Sequence, residues 1–572
     1  MMKLSSELLK FDIFNSSIDD LREALDSGVV SVVELTLIYM IRIARYDRAN
    51  TNLNSIIMLN KDIFNQAEKL DKLLRAGKKI SQLHGIPFTL KNNYKVEGEN
   101  VSAGSPAFRN LVANSDASVV KFLKESGAIL IGRTSMPPMA AGGLQRGLHG
   151  RAESPFNDEY LSAAWLSGSS NGSAVSTASR FATFSLGTET LSSGRSPASN
   201  NGLFAYTPSR GLISTRGLFY LLALRDVIVP YTTNMKDMLD VLNIIVHEDE
   251  NTRGDFWREQ PFVELPTVNE VRPKDFRELY ESESSLKGKR VGVPRAFISK
   301  CNDRLRDEMS LSDDILRLWS EFEGKLAGLG AEIVYVDPPA LYDYDEITTE
   351  SKGMVERGLI PRLFSERIEF GQMCGSVWND FLNENGQEGL SSMKDVNIED
   401  IFPDELYGLE GNLNPIPRLG YDDMKKDAIS GCTPIYQTEH LEQVVKNLEK
   451  FRNDYHDQWL IDNRIDFLAF PTALDVGRSD TDSNPVSSVL SWRQGVASSV
   501  GGWAVRALGI PTVNVPLGMM ETKSMPVGAT LMGEAYSDCK LLSYACFLER
   551  KNVVKKTPQP KRVPPLSSDA FV

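Results

Sequence analysis

The chain has 572 residues, 41% of them hydrophobic and 24% charged, and a formal net charge of −13. That balance fits a soluble globular protein with a sizeable core and excludes a disordered or membrane-embedded class, and the acidic sign argues against a nucleic-acid footprint. Five cysteines (Cys301, Cys374, Cys432, Cys539 and Cys546) are odd in number and lack CxxC spacing, which points to reduced thiols in a cytoplasmic protein rather than to a disulfide framework or a zinc knuckle.

Met1 to Lys10 lack the apolar core of a signal peptide, so secretion is not expected and the sequons at Asn15, Asn100 and Asn171 carry no weight. Ser17-Ile18-Asp19-Asp20 and Ser31-Val32-Val33-Glu34 each read as a capping box, in which the serine oxygen accepts a backbone N–H and the acid reaches back. Two helices are expected to follow. The second covers the apolar run Val29 to Ile43, broken by Glu34 and Arg42 and too short to cross a bilayer. In it Val33, Leu37, Met40 and Ile41 recur at helical spacing and predict the buried face. A third helix is expected from Lys61 to Leu74.

From His84 to Thr89 an apolar run reads as a strand leading into Lys91-Asn92-Asn93, where a strand end can deliver a side chain into a cleft. A lone lysine is more often a solvated surface charge. Val119 to Leu130 reads as a helix running into a strand, Ala128 to Gly132, the alternation expected of an α/β protein. Between Leu166 and Ser199, glycines and serines alternate with Ala174, Val175, Ala178, Phe181, Ala182, Phe184 and Leu186. A flexible linker would lack that apolar context, so the run reads as packed. Close-packed small residues let backbone N–H groups converge beside serine hydroxyls, the raw material of an acyl-transfer site; a tight helix contact is the plainer alternative. Residues 240–430 are the least regular, with charged and proline-rich patches at Glu259 to Lys274 and a polar region from Asn383 to Asp423 around a core strand at Arg290 to Val293. Loops of this kind usually shape a pocket. The end of the chain from Lys555 reads as a flexible tail.

Gly168-Ser169-Ser170-Asn171-Gly172-Ser173 followed by Gly187-Thr188-Glu189-Thr190-Leu191-Ser192-Ser193 resembles the signature of the amidase signature family of serine hydrolases. The likeness extends to Gly85-Ile86-Pro87-Phe88-Thr89-Leu90-Lys91, to Asn201 to Gly211, and to Ile465 to Thr472, Gly509 to Pro516 and Pro526 to Gly533, so it covers most of the chain. The resemblance implies an α/β fold with a large mixed β-sheet covered by helices on both faces. It also implies an N-terminal helical region (1–80), a catalytic domain (81–555) with variable insertions and a tail (556–572). Catalysis would fall to Lys91, Ser169 and Ser193, with the oxyanion held by backbone N–H groups of Thr190, Leu191, Ser192 and Ser193.

In that scheme Lys91 draws a proton from Ser169, which relays it from Ser193, and Ser193 Oγ attacks the carbonyl of a small organic amide. No metal or organic cofactor is required, and the implied partner is the small-molecule substrate, with no nucleic acid and no membrane span; a homodimer stays open. A lysine with an ordinary value near 10.4 must approach neutrality to act as base, which costs about 4 kcal/mol and calls for burial away from carboxylates. Four departures from the family pattern stand out: Leu191-Ser192 for Gly-Gly, Glu189 for Asp, Ser167 for the first Gly of Gly-Gly-Ser-Ser, and Asn92 for Asp. A Cβ at either replaced glycine is costly if that position needs a positive φ.

Gly168-Ser169-Ser170-Asn171-Gly172 also satisfies G-x-S-x-G, the nucleophile elbow of a carboxylesterase centred on Ser170, with His440 or His456 as base. The altered glycines leave room for a weakened, non-enzymatic relative. One component of a transamidating assembly is the remaining alternative. The five histidines show no HExxH spacing that would favour metal-assisted hydrolysis.

Overall fold

The computed structural model describes residue 12 and residues 15–299, 309–402 and 420–565. Three helices lead the described chain: α1 (Ile18–Asp26), α2 (Val32–Ile43) and α3 (Ile63–Arg75). Both expected capping boxes form: Ser17 with Asp20, and Ser31 with Glu34. The buried face of α2 differs from the one expected. Val32, Leu35, Ile38, Tyr39 and Ile43 are buried, whereas Val33, Leu37, Met40 and Ile41 are only half-buried. The helix is apolar almost all round, so periodicity alone marks no single stripe. Arg42 joins the buried side because its guanidinium donates to Ser179 O (2.7 Å), Val563 O (3.0 Å) and Pro564 O (3.0 Å).

Among the described residues eleven strands form one mixed sheet: β1 (Ile56–Leu59), β2 (Pro87–Lys91), β3 (Ile129–Thr134), β4 (Phe184–Glu189), β5 (Phe204–Thr207), β6 (Val227–Thr232), β7 (Arg290–Pro294), β8 (Glu332–Val336), β9 (Phe467–Pro471), β10 (Thr512–Met519) and β11 (Pro526–Met532), in the spatial order β1-β3-β2-β4-β6-β5-β10-β11-β9-β7-β8. Every residue of β2 to β6, β9 and β11 is buried, so helices and loops cover both faces, as expected of the fold. β1 lies within the stretch expected to be helical and makes one edge, antiparallel to β3. Its four residues are too few to show an alternating pattern in the sequence.

Strand β2 pairs in parallel with both β3 and β4, setting Leu90 beside Leu186 and Lys91 beside Thr134. The carboxyl ends of β2 and β4 therefore lie together, one carrying Lys91 and the other Thr188 and Glu189. Helix α4 (Ser118–Glu125) precedes β3, and the small-residue run forms α5 (Asn171–Ala178), in which every residue is buried. Helices α6 (Arg195–Asn201) and α7 (Met235–Ile245) follow β4 and β6.

Two expectations for the later chain need amendment. Described parts of the polar region pack: Met393, Val396 and Ile401 join Phe108, Phe219, Phe381 and Met424 in a second apolar cluster. The tail expected to be flexible is held against the fold by Val563, which is fully buried, and by Arg562, which donates to Ser154 O (2.6 Å), while residues 564 and 565 are exposed; residues 566–572 lie outside the described residues. Cys374, Cys432, Cys539 and Cys546 are free thiols, and Cys301 lies outside the described residues.

α5 approaches the β3 end closely because Gly172 has no side chain: a Cβ there would stand 2.5 Å from Ser135 N and 2.6 Å from Ser135 O. Both are backbone atoms that cannot swing aside. Gly172→Ala is expected to destabilise the protein by about 1–3 kcal/mol, read as a lower midpoint in denaturant unfolding.

Candidate active site

Lys91 is the last residue of β2, and its side chain is fully buried. Nζ donates to Ser169 Oγ (2.7 Å), Thr188 Oγ1 (2.8 Å) and Ser170 Oγ (3.0 Å). Each partner is brought in by a different constraint. Thr188 comes from β4 at the same sheet edge, and Ser169 and Ser170 from the turn that starts α5. That turn reaches β4 because residue 187 is glycine: a Cβ at Gly187 would lie 2.7 Å from Ser170 Cβ and Ser170 Oγ. Ser170 is then fixed on β4, donating to Thr188 O (2.8 Å) and accepting from Thr188 N–H (3.0 Å).

Burial pushes the Lys91 amine down to about 7, against the opposite pull of Asp226 and Glu189. Desolvation thus outweighs two carboxylates that the sequence did not place near it. Both carboxylates are engaged elsewhere. Asp226, buried and pushed up to about 6 by that burial, accepts from Leu221 N–H (2.7 Å). Glu189 accepts from Gly194 N–H (2.9 Å), Arg195 N–H (2.8 Å) and Arg195 Nε (2.9 Å), with Arg506 Nε 3.5 Å away.

The Glu189 bonds build the turn that holds Ser193. Arg195 also donates to Leu191 O (2.9 Å), and Tyr231 on β6 donates to Ser193 O and Gly194 O (3.0 Å each). Neither Leu191 nor Ser192 has a positive φ, so the residues replacing Gly-Gly carry no left-handed strain. Ser192 Oγ donates to Ser167 O (2.8 Å) and accepts from Ser499 N–H (2.9 Å), tying three loops together. Ser193 is 1% exposed, and its Oγ accepts from the main-chain N–H of Ser169 (3.0 Å). Ser167 Oγ lies 3.5 Å from Ser193 Oγ and accepts from Ser192 N–H (3.0 Å).

The structure therefore gathers Lys91, Ser169 and Ser193 with the Thr190–Ser193 turn. Asn92 turns away and donates to Ser102 Oγ (2.7 Å). The esterase elbow does not form: residues 161–169 contain no strand, and the Ser170 hydroxyl is taken up by Lys91 and Thr188. His456 is buried against Gly533 O (2.9 Å) and pushed down to about 4 by burial, and His440 pairs with Glu439. Sequence reasoning missed Thr188 as a lysine partner, Asp226, Tyr231 and Arg506. Only Thr188 carried a signal, as the second residue of the Gly-Thr-Glu motif.

A buried lysine near neutrality beside serines on an unstrained, salt-bridged turn defines a serine hydrolase centre, and likeness to known proteins gives its class. The family model described as Amidase matches residues 38–394, and the chain belongs to that family. It is an amide-hydrolysing enzyme of the serine-nucleophile class. A glutamyl-tRNA(Gln) amidotransferase subunit from Endomicrobium trichonymphae is 26% identical over 94% of this chain and 97% of its own. A probable amidase from Arabidopsis thaliana is 33% identical over 50% of this chain and 54% of its own. Among solved structures, native peptide amidase from Stenotrophomonas maltophilia superposes with a TM-score of 0.72 at 22% identity, covering 95% of this chain and 99% of that one. Among the described residues no helix is long and apolar enough to cross a membrane.

Depression of the Lys91 amine makes stability depend on pH. The unfolded lysine holds its proton up to about 10.5 and the folded one releases it near 7, so stability falls as pH drops from about 10 to about 7 and levels off below. Lys91→Met removes that penalty. The gain in melting temperature of Lys91→Met over the wild type is expected to be larger at pH 6 than at pH 10, by an amount equivalent to about 4 kcal/mol. An equal difference at both pH values would contradict a depressed lysine.

Proposed function

We propose that the enzyme hydrolyses a primary or secondary amide of a small organic acid through an acyl-enzyme on Ser193. The observation that carries this reading is the 2.7 Å contact between Lys91 Nζ and Ser169 Oγ, with the amine depressed to about 7 by burial. A neutral amine at that distance takes the Ser169 proton as Ser169 takes the Ser193 proton, and Ser193 Oγ adds to the carbonyl carbon. The oxyanion is held by N–H groups of the Thr190–Ser193 turn, each worth about 3 kcal/mol in comparable sites. The proton returns through Ser169 to the leaving nitrogen, the C–N bond breaks, and water repeats the sequence to release the acid. Relay through Ser169 requires its hydroxyl to meet Ser193 Oγ, which at rest accepts from the Ser169 main-chain N–H (3.0 Å).

Substrate size is supported by a cavity of about 520 Å³ beside this turn, lined by Leu166, Ile347, Trp492, Ser499 and Trp503 among others. Its volume is in the range of small-molecule sites, and its lining mixes the aromatic Trp492 and Trp503 with the polar Asp345, Arg493 and Gln494.

A second reading follows from the relatives named as glutamyl-tRNA(Gln) amidotransferase subunits. There the same nucleophile would release an amide nitrogen for transfer within a larger assembly. Ammonia release by the purified chain alone from a panel of small amides, with glutamine included, separates the two. Turnover of glutamine only, and only with added partners, would favour the transferase.

A fluorophosphonate is expected to label Ser193, as read by peptide mass spectrometry. Ser193→Ala abolishes labelling and turnover, and Ser170→Ala leaves labelling at Ser193. Acylation of the wild type rises with pH through about 7 as Lys91 loses its proton. An expelled amine needs a proton more than an alkoxide does, so Ser169→Ala is expected to slow an amide by a larger factor than the matched ester. Equal losses on the pair would remove Ser169 from the relay.

A further inference from the structure

Ser167 lies beside the nucleophile without a part in the chemistry described so far. Its Oγ accepts the Ser192 N–H at 3.0 Å and stands 3.5 Å from Ser193 Oγ. A substrate carbonyl approaching Ser193 has the same needs: its carbon reaches about 3–3.5 Å from the attacking oxygen, and its oxygen reaches about 3 Å from turn N–H groups. Two oxygens cannot share the Ser192 N–H along one direction. We propose that the Ser167 hydroxyl sits in the seat of the substrate carbonyl oxygen in the resting enzyme and gates acylation, each substrate having to displace it. The inference rests on Ser193 as nucleophile.

The surroundings determine how the gate opens. The Ser167 main chain is pinned on both sides: Leu166 N–H and Ser167 N–H donate to Ala497 O (2.9 and 3.2 Å), and Ser167 O accepts from Ser192 Oγ (2.8 Å). The backbone therefore stays in place, and only rotation about the Cα–Cβ bond frees the seat. In the resting position the hydroxyl also covers Ser193 Oγ, which already accepts from Ser169 N–H (3.0 Å). Rotation exposes the Ser192 donor and one side of the nucleophile together. A substrate bound tightly by its remaining groups overcomes the loss of one hydrogen bond, whereas a weakly held carbonyl or a water molecule does not, so the gate favours substrates that fill the adjoining cavity.

Because the hydroxyl is displaced on binding and stays displaced in the transition state, it weakens both states equally. Its removal acts on KM and not on kcat. Ser167→Ala is expected to lower KM for an amide substrate about 10-fold, the worth of one hydrogen bond, with kcat unchanged, and to speed fluorophosphonate labelling of Ser193 by a similar factor. Ser167→Gly serves as a second variant should the alanine enzyme fail to fold, with the same outcome expected. A fall in kcat at unchanged KM would overturn the gate and make Ser167 an oxyanion donor. Unchanged labelling rates in the folded variants would overturn it equally. A wild type that goes unlabelled at Ser193 would remove the nucleophile itself, and with it both readings.

Discussion

The withdrawal of one amine from water organises this enzyme. Lys91 is the terminal residue of a strand whose every residue is buried, and no solvent reaches its side chain. In an apolar hole a protonated lysine would be unsatisfied, and beside a free carboxylate it would stay charged; here three hydroxyls accept from it and add no charge. The nearby carboxylates are kept occupied by other donors, Asp226 by a main-chain N–H and Glu189 by a helix start and Arg195. Burial then decides the balance, and the amine is left near 7, where a base is useful.

The Ser193 turn depends on a second buried arrangement. Glu189, Arg195 and Arg506 form a cluster without solvent exposure, and breaking such a cluster by removing one partner typically costs about 3–5 kcal/mol. Its product is geometry: the chain leaving β4 turns back over Glu189 and sets Ser193 against the start of α5. The two residues in place of Gly-Gly fit because their backbone is not left-handed. Leu191 is buried so close to Gly502 that a Cβ there would lie 3.4 Å from its side chain, and Ser192 joins the loops of Ser167 and Ser499. These residues tie the turn to its neighbours, and the hydroxyl of Ser167 accepts the Ser192 N–H beside them.

Much of the site was legible because motif residues carry their own geometric demands. Gly187 and Gly172 mark places where strand, turn and helix backbones approach too closely for a side chain, and hydroxyls inside an apolar run announce groups that must find buried partners. The buried face of α2 was not legible, since an apolar residue on nearly every position leaves its orientation to the neighbours. Nor was the packed end of the chain: Lys and Pro near residue 560 suggest a tail, and only the Arg42 guanidinium across the fold shows that the carbonyls of Val563 and Pro564 have a partner.

The sequence by itself determined the class of the protein through motifs that resemble the amidase signature family, and it named candidate reactive groups, because such motifs are local properties of the chain. Tertiary structure alone decided what those groups can do. Lys91 and Thr188 are 97 positions apart and meet only because β2 and β4 run in parallel and end together. The basicity of Lys91 and the occupant of the oxyanion seat depend on desolvation and on distances of about 3 Å between distant segments, and such quantities exist only once the sheet has brought those segments together.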